Sequence, residues 1–254
     1  MQHWRLDCSR QTLVLAATGA RLPQVVYWGA PLPLNEDLAT IQAAHALDVT
    51  GGMLDENPDL SICPEASRTF PGQPGMIIRS ENGTPLLPKF CFQSDEVEED
   101  ALTLIYRDNA HGLNYTATFK IDPVSHIITS QAMLDTDAPI HLHWLSAPVF
   151  PASQQSADMI DFAGRWCGEF QPHRTAWSPG IRMRENRTGR TGHEHFPGLI
   201  VPEYGATNTT GSAHAFHYGW SGGHKMIAEE LPDGRRQIQF GHAPRVEANA
   251  STHF

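Results

Sequence analysis

Two close histidine pairs and one stretch rich in arginine and tryptophan are where this sequence could do chemistry. His141 and His143 stand two apart, and on a strand such residues face the same side, so both imidazoles could reach one metal. A metal enzyme built on a β-sandwich would add a nearby carboxylate and a third histidine. Ser146 to Ser156 contain no acid, and two histidines on the wet face of a strand are the better account of the pair. His193 and His195 flank Glu194 in the glycine-bounded loop Thr188 to Gly198. His214, His217 and His224 add to a total of 14 histidines, yet no pair has the H-E-x-x-H spacing of a zinc protease. No metal and no cofactor are therefore expected.

The densest candidate runs from Gly164-Arg165-Trp166-Cys167-Gly168-Glu169-Phe170 through Trp177, Arg182, Arg184, Arg187 and Arg190 to His193. An indole stacks on the apolar face of a sugar ring, and guanidinium donors bind its hydroxyls or orient carboxylates. The same residues also suit a structural role, with pairs such as Arg165 and Glu169 pinning a crossover between sheets. Both readings stand at this point. Cys8, Cys63, Cys91 and Cys167 form no C-x-x-C pair and read as free thiols. Neither G-x-G-x-x-G after a strand nor G-x-x-x-x-G-K-[ST] occurs, which argues against nucleotide-binding α/β folds.

The elements that must position these residues are mainly strands. Thr12–Ala16 and Gln24–Trp28 are short apolar runs separated by a turn at Thr18-Gly19-Ala20. Leu113–Ile121 alternates strictly between apolar and polar residues, the signature of a half-buried strand. Ala101–Arg107, Ile127–Leu134 and Ile140–Trp144 are further strands. Helical spacing appears only over Asn35–Asp48, with Asn35 as cap and Gly51-Gly52 as stop. Gly52 to Pro88 reads as one long loop, anchored by Leu60, Ile62, Phe70, Met76, Ile77 and Ile78. Many short strands bounded by turn residues argue for an all-β fold of antiparallel sheets packed as a sandwich.

Composition sets the limits. The chain has 254 residues, 40% of them hydrophobic and only 18% charged, with 21 Gly and 19 Pro. That mixture excludes a coiled coil, a helical bundle and a charged disordered tail. At about 100–200 residues per domain, the length allows one large domain or two small ones. A net charge of −10 repels phosphate backbones, so nucleic acid is not an expected partner. No window approaches the ~18 apolar residues of a membrane span. The polar start, Met1 to Arg10, has no signal-peptide pattern, which points to the cytoplasm.

Several motifs, taken in order, resemble one family. They are Val25-Val26-Tyr27-Trp28-Gly29 with Pro31-Leu32, Pro64-Glu65, Phe70-Pro71-Gly72-Gln73-Pro74-Gly75, and Gly164-Arg165-Trp166 with Glu169-Phe170. Asn186-Arg187-Thr188-Gly189-Arg190-Thr191-Gly192-His193, Phe196-Pro197 and Tyr218-Gly219-Trp220-Ser221-Gly222-Gly223-His224 complete the run. The set is similar to the N-terminal domain of bacterial α-galactosidases of glycoside hydrolase family 36, the melibiose- and raffinose-cleaving group. The resemblance implies a large antiparallel β-supersandwich of the galactose-mutarotase type, here a single domain over residues 1–254, incomplete at its carboxyl end. It implies no catalytic residue in this chain. The family nucleophile follows a Lys-Trp pair on a (β/α)₈ barrel, and no Lys-Trp-Asp occurs here. The implied partners are α-galactosides, the catalytic barrel and neighbouring subunits. Where the family carries Gly-His-Arg or Asp-Phe-Arg, this chain has Ile77-Ile78-Arg79. Arg79, Trp166 and His193 are the residues expected to touch substrate. A stand-alone carbohydrate-binding sandwich and a metal-dependent sandwich enzyme are the alternatives.

Overall fold

Alternating patterns and frequent turn residues leave little of this chain to helix. The computed structural model describes residues 1–46, 58–243 and 250–254, and 49% of the chain is strand. All strand pairs recorded between the named strands are antiparallel, as the all-β expectation requires. The chain divides into two compact units. Unit 1 is Met1–Phe70, Pro74–His143 and Ala248–Phe254, and unit 2 is Pro71–Gln73 with Trp144–Glu247. Among the described residues no helix is long and apolar enough to cross a membrane.

Unit 1 begins with a three-stranded sheet of β1 (Gln2–Asp7), β2 (Thr12–Ala17) and β3 (Gln24–Gly29). All six residues of β2 are buried. Val14 and Ala16 pack with Val26 against Leu38 and Ile41 of the one α-helix described, α1 (Leu38–His45). The cap of α1 is Asp37, whose carboxylate accepts from the Ala39 amide at 3.1 Å and the Thr40 hydroxyl at 2.6 Å. Asn35 does not cap the helix. It lies in the turn that the Glu36 amide closes on the Pro33 carbonyl. The expected stop at Gly51-Gly52 lies outside the described residues.

The second sheet of unit 1 contains β4 (Met76–Ser80), β5 (Pro85–Leu86), β6 (Cys91–Val97), β7 (Ala101–Asp108), β8 (Leu113–Ile121) and β9 (Ile128–Leu145), in the order β5-β4-β9-β8-β7-β6. Strand β8 buries every second residue from Leu113 to Ile121, as its sequence demands. Two expected strands, Ile127–Leu134 and Ile140–Trp144, are one continuous β9. Pairing with β8 ends at Thr136, so Pro139 takes no place in that ladder. Phe92 of β6 lies 6.0 Å from Trp4 of β1 and 5.6 Å from Tyr106 of β7, joining the two sheets.

The described part of the Gly52–Pro88 stretch is not a continuous loop. A 3₁₀ turn at Ala66–Arg68 and the β4–β5 hairpin interrupt it. The Asn82-Gly83 pair makes that hairpin, with Gly83 at φ 85° and the Ser80 amide bonded to the Thr84 carbonyl. Of the expected anchors, Leu60, Ile62, Phe70, Met76 and Ile78 are buried, while Ile77 is exposed.

Unit 2 is a sandwich of two four-stranded sheets. Its strands are β10 (Phe150–Pro151), β11 (Asp158–Ala163), β12 (Gln171–Ala176), β13 (Gly180–Asn186), β14 (Gly198–Pro202), β15 (Ala213–His217), β16 (His224–Glu230) and β17 (Arg236–His242). One sheet runs β10-β17-β16-β13 and the other β12-β11-β14-β15. Met159, Leu199 and Val201 from the second meet Met226, Ala228, Ile238 and Phe240 from the first. A buried amide relay ties Pro71–Gln73 to this unit. The Gln73 carbonyl accepts from Gln237 at 3.0 Å and Gln239 at 2.8 Å, and its amide donates to Glu229. The Trp144 indole closes the relay on Gln239 at 2.8 Å. The final strand, β18 (Ser251–His253), pairs with β9.

Candidate functional site

Three loops meet at one end of the unit 2 sandwich, and they carry two of the three expected substrate residues. The β11–β12 turn is forced by backbone geometry. Gly164 sits at φ 138°, and a Cβ there would stand 1.8 Å from the Gly168 carbonyl oxygen, so only glycine fits. The Gly168 amide bonds back to the Arg165 carbonyl at 2.7 Å, and Cys167 and Phe170 adopt left-handed φ angles of 66° and 53°. This tight turn leaves Trp166 88% exposed.

Arg165 does not pair with Glu169. Its Nε lies 3.0 Å from Glu194 in the β13–β14 loop, because the turn projects the side chain across to that neighbour. Phe170 lies 5.1 Å from Phe196 and 6.3 Å from His193, ring centre to ring centre. Phe196 in turn lies 5.3 Å from His217. The Thr191 amide donates to the Ser221 carbonyl at 2.8 Å, which joins the third loop. There Trp220 stacks on His242 at 4.4 Å. Trp166 and His193 thus share one loop cluster with exposed aromatic faces, a surface suited to stacking on sugars.

The other arginines of the stretch do structural work. Arg182 and Arg184 point inward from β13, while Ile181 and Met183 point out, the reverse of the usual pattern. Both guanidinium groups converge on Asp161 of β11, which is 1% exposed, at 2.7 Å and 3.0 Å. This ion cluster pins one sheet of the sandwich to the other. The pinning role weighed in the sequence is real, carried by different residues. Arg187 pairs with Glu185 at 2.8 Å.

Histidines surround the base of the loop cluster. His224 is buried at the start of β16. Burial pushes its imidazole below the usual range, the charges of His195 and His217 act in the same direction, and hydrogen bonds to the Gly222 and His195 backbone oppose them. His141 and His143 lie on the wetter side of β9, with His141 Nε2 3.3 Å from the Glu81 carbonyl. Among the described residues no group of three or more His, Cys, Asp or Glu side chains could hold a metal ion.

Arg79 lies in unit 1, apart from this cluster in the chain. Strand β4 turns Met76 and Ile78 inward and Ile77 and Arg79 outward. The exposed Arg79 guanidinium donates to the Gly83 carbonyl of its own hairpin at 2.8 Å. Sequence reasoning missed Asp161, and it counted His224 among the histidines without foreseeing its burial. No linear signal marks Asp161 as the partner of Arg182 and Arg184, because it lies on a strand of the other sheet.

Comparison with known proteins agrees with this architecture. The model of the glycosyl hydrolase family 36 N-terminal domain matches residues 21–246. An α-galactosidase of Escherichia coli is 32% identical over 245 residues, covering 94% of this chain and 33% of that protein. The family 36 α-galactosidase AgaA of Geobacillus stearothermophilus, solved with stachyose, shares the fold at a TM-score of 0.81 and 18% identity, covering 96% of this chain and 37% of that one. The α-galactosidase of Lactobacillus brevis does so at a TM-score of 0.81 and 15% identity, over 95% of this chain and 36% of its own. The chain spans 33% of the length of the curated relative it matches. With antiparallel sheets, motif order and family model all in agreement, the chain belongs to the glycosyl hydrolase family 36 N-terminal domain family.

Proposed function

We propose that this chain is the non-catalytic N-terminal domain of an α-galactosidase that removes terminal α-galactosyl residues from oligosaccharides such as melibiose and raffinose with retention. The single observation that carries this reading is the 32% identity to the Escherichia coli α-galactosidase across 94% of the chain. Solved relatives of the same fold contain stachyose and raffinose. The domain supplies scaffold, contacts between subunits and the Arg79 hairpin toward the sugar site. Its partners are the catalytic barrel and neighbouring copies. Its four cysteines are free thiols, which suits a cytoplasmic setting.

Retaining glycosidases need two carboxylates about 5 Å apart, one as nucleophile and one as acid and base. The buried carboxylates described here have structural partners. Glu65 is held by Arg68 and the Phe90 amide, Asp108 by His111 and the Lys89 amide, Asp161 by two arginines, and Glu229 by Gln73 and Gln237. These arrangements support a division of labour in which catalysis resides in the barrel.

In an α-galactosidase carrying this domain, Arg79→Ala is expected to raise KM for raffinose about tenfold, the loss of one charged hydrogen bond, with kcat little changed. An unchanged KM would remove the Arg79 hairpin from the sugar site. The exposed Trp166 favours a second reading, a carbohydrate-binding sandwich. Galactoside binding by the 254-residue chain that disappears in Trp166→Ala would support it.

A further inference from the structure

The inward face of the β13-β16-β17 sheet ends in histidine. Strand register sets Asn186 of β13, His224 of β16 and His242 of β17 side by side in one row. Residues opposite each other on antiparallel strands project to the same side, and Met226 and Phe240, next along that face, belong to the core. His224 is therefore buried at the root of the β15–β16 loop. Backbone groups of Gly222 and His195 engage its ring, while its Nδ1 has no hydrogen-bond partner. The Nδ1 of His195 is likewise buried without a partner.

Around this ring the described residues supply imidazoles and no carboxylate free to balance a charge. Burial lowers the proton affinity of His224, and the charges of His195, from the β13–β14 loop, and His217, from β15, lower it further. His242 stands opposite on β17 and stacks on Trp220. The Tyr218 phenol, raised by burial, lies beside His242 and stays neutral. From β13, Asn186 is neutral and holds its own loop through Thr188 and Arg190, while Arg184 is turned to Asp161. In the β13–β14 loop, Glu194 is turned to Arg165 and Arg187 to Glu185, and Arg190 and His193 are exposed. Lys225 points to the other face of the sheet, over Trp144. A proton on His224 thus costs desolvation, an unmatched N–H at Nδ1 and repulsion from neighbours that titrate in the same pH range. The Thr191 amide holds the Ser221 carbonyl at 2.8 Å and the Ala243 amide holds the Gly223 carbonyl at 3.2 Å, tying the loops down over it. Parting the loops admits water to these rings and relieves each cost, whereas the strands behind are held by a continuous ladder.

We propose that this histidine cluster is an acid-operated latch, in which protonation of His224 opens the β13–β14 and β15–β16 loops while both sheets stay folded. Opening parts Trp220 from His242, so that pH sets the shape of the aromatic loop surface. The latch lies within unit 2 and stands independently of the α-galactosidase reading. The test is hydrogen exchange of the 254-residue chain between about pH 7.5 and about pH 4.5, read by mass spectrometry and corrected for the intrinsic pH dependence of exchange. Peptides covering residues 187–197 and 218–223 are expected to exchange about tenfold faster at the acid end, since each pKa unit lost on closing is a factor of ten in opening. Peptides from the centres of β16 and β17 are expected to stay protected throughout. His224→Gln cannot take the proton and is expected to abolish the loop response. His217→Gln, an exposed change, removes one neighbouring charge and is expected to shrink the response, which keeps the comparison open should His224→Gln fail to fold. Loop exchange that does not change with pH, an undiminished acid response in folded His224→Gln or in His217→Gln, or protection lost from strands and loops together would each overturn the proposal.

Discussion

Asp161 shows how one residue decides between two readings of a sequence stretch. Arg182 and Arg184 looked equally suited to sugars and to structure, and the inward carboxylate claims both. Removing one member of a buried ion cluster leaves an uncompensated charge and costs about 3–5 kcal/mol. Asp161→Ala is therefore expected to lower the unfolding free energy by about 3 kcal/mol in urea, with two half-buried guanidinium groups left without their carboxylate. A loss below about 1 kcal/mol would place the arginines in solvent. The pair was hidden because Asp161 and its partners lie 21 and 23 residues apart on strands of different sheets. His224 gives a second residue-level expectation. Its pKa is depressed by burial, so the neutral form stabilises the fold above the unfolded value of about 6.5. That stability is lost as pH falls from there through the folded-state value. Thermal melts at descending pH should show this acid-side loss, and His224→Gln should reduce it.

At the scale of elements, local patterns were read well where one face is wet and the other dry. Strand β8 matches its alternation from Leu113 to Ile121, and β2 and β3 begin where their apolar runs begin. Strands with exposed or inverted patterns were missed. Strand β6 is exposed along nearly its whole length and rich in acids, which guards a sheet edge but hides its hydrophobic signal. Strand β13 carries its charges inward, so alternation points the wrong way. The Asn82-Gly83 hairpin was legible, yet the surrounding prolines and glycines masked it. The β11–β12 turn is the element that presents Trp166. Gly164→Ala is expected to destabilise unit 2 by about 2 kcal/mol, since it combines strained φ with a backbone clash. Quenching of Trp166 fluorescence by acrylamide should change with it. A variant as stable as the parent would show that the turn tolerates another geometry.

At the scale of the whole molecule, motif order carried more than any single motif. The run from Trp28 to His193 pointed to one family, and the family model spans residues 21–246. Composition explained the all-β class but could not divide the chain, because the unit boundary falls inside β9, where the sequence shows no break. The candidate site was only partly legible. Trp166 and His193 proved to share a loop cluster, while Arg79 belongs to the other unit. On the function proposed for it, this chain shapes and supports an α-galactosidase whose chemistry resides in the barrel. The most direct measurement is the rate at which the purified 254-residue chain hydrolyses p-nitrophenyl α-galactoside. Release of p-nitrophenol no faster than the buffer blank is predicted. Enzymatic turnover that follows the folded chain through purification and disappears on denaturation would contradict it.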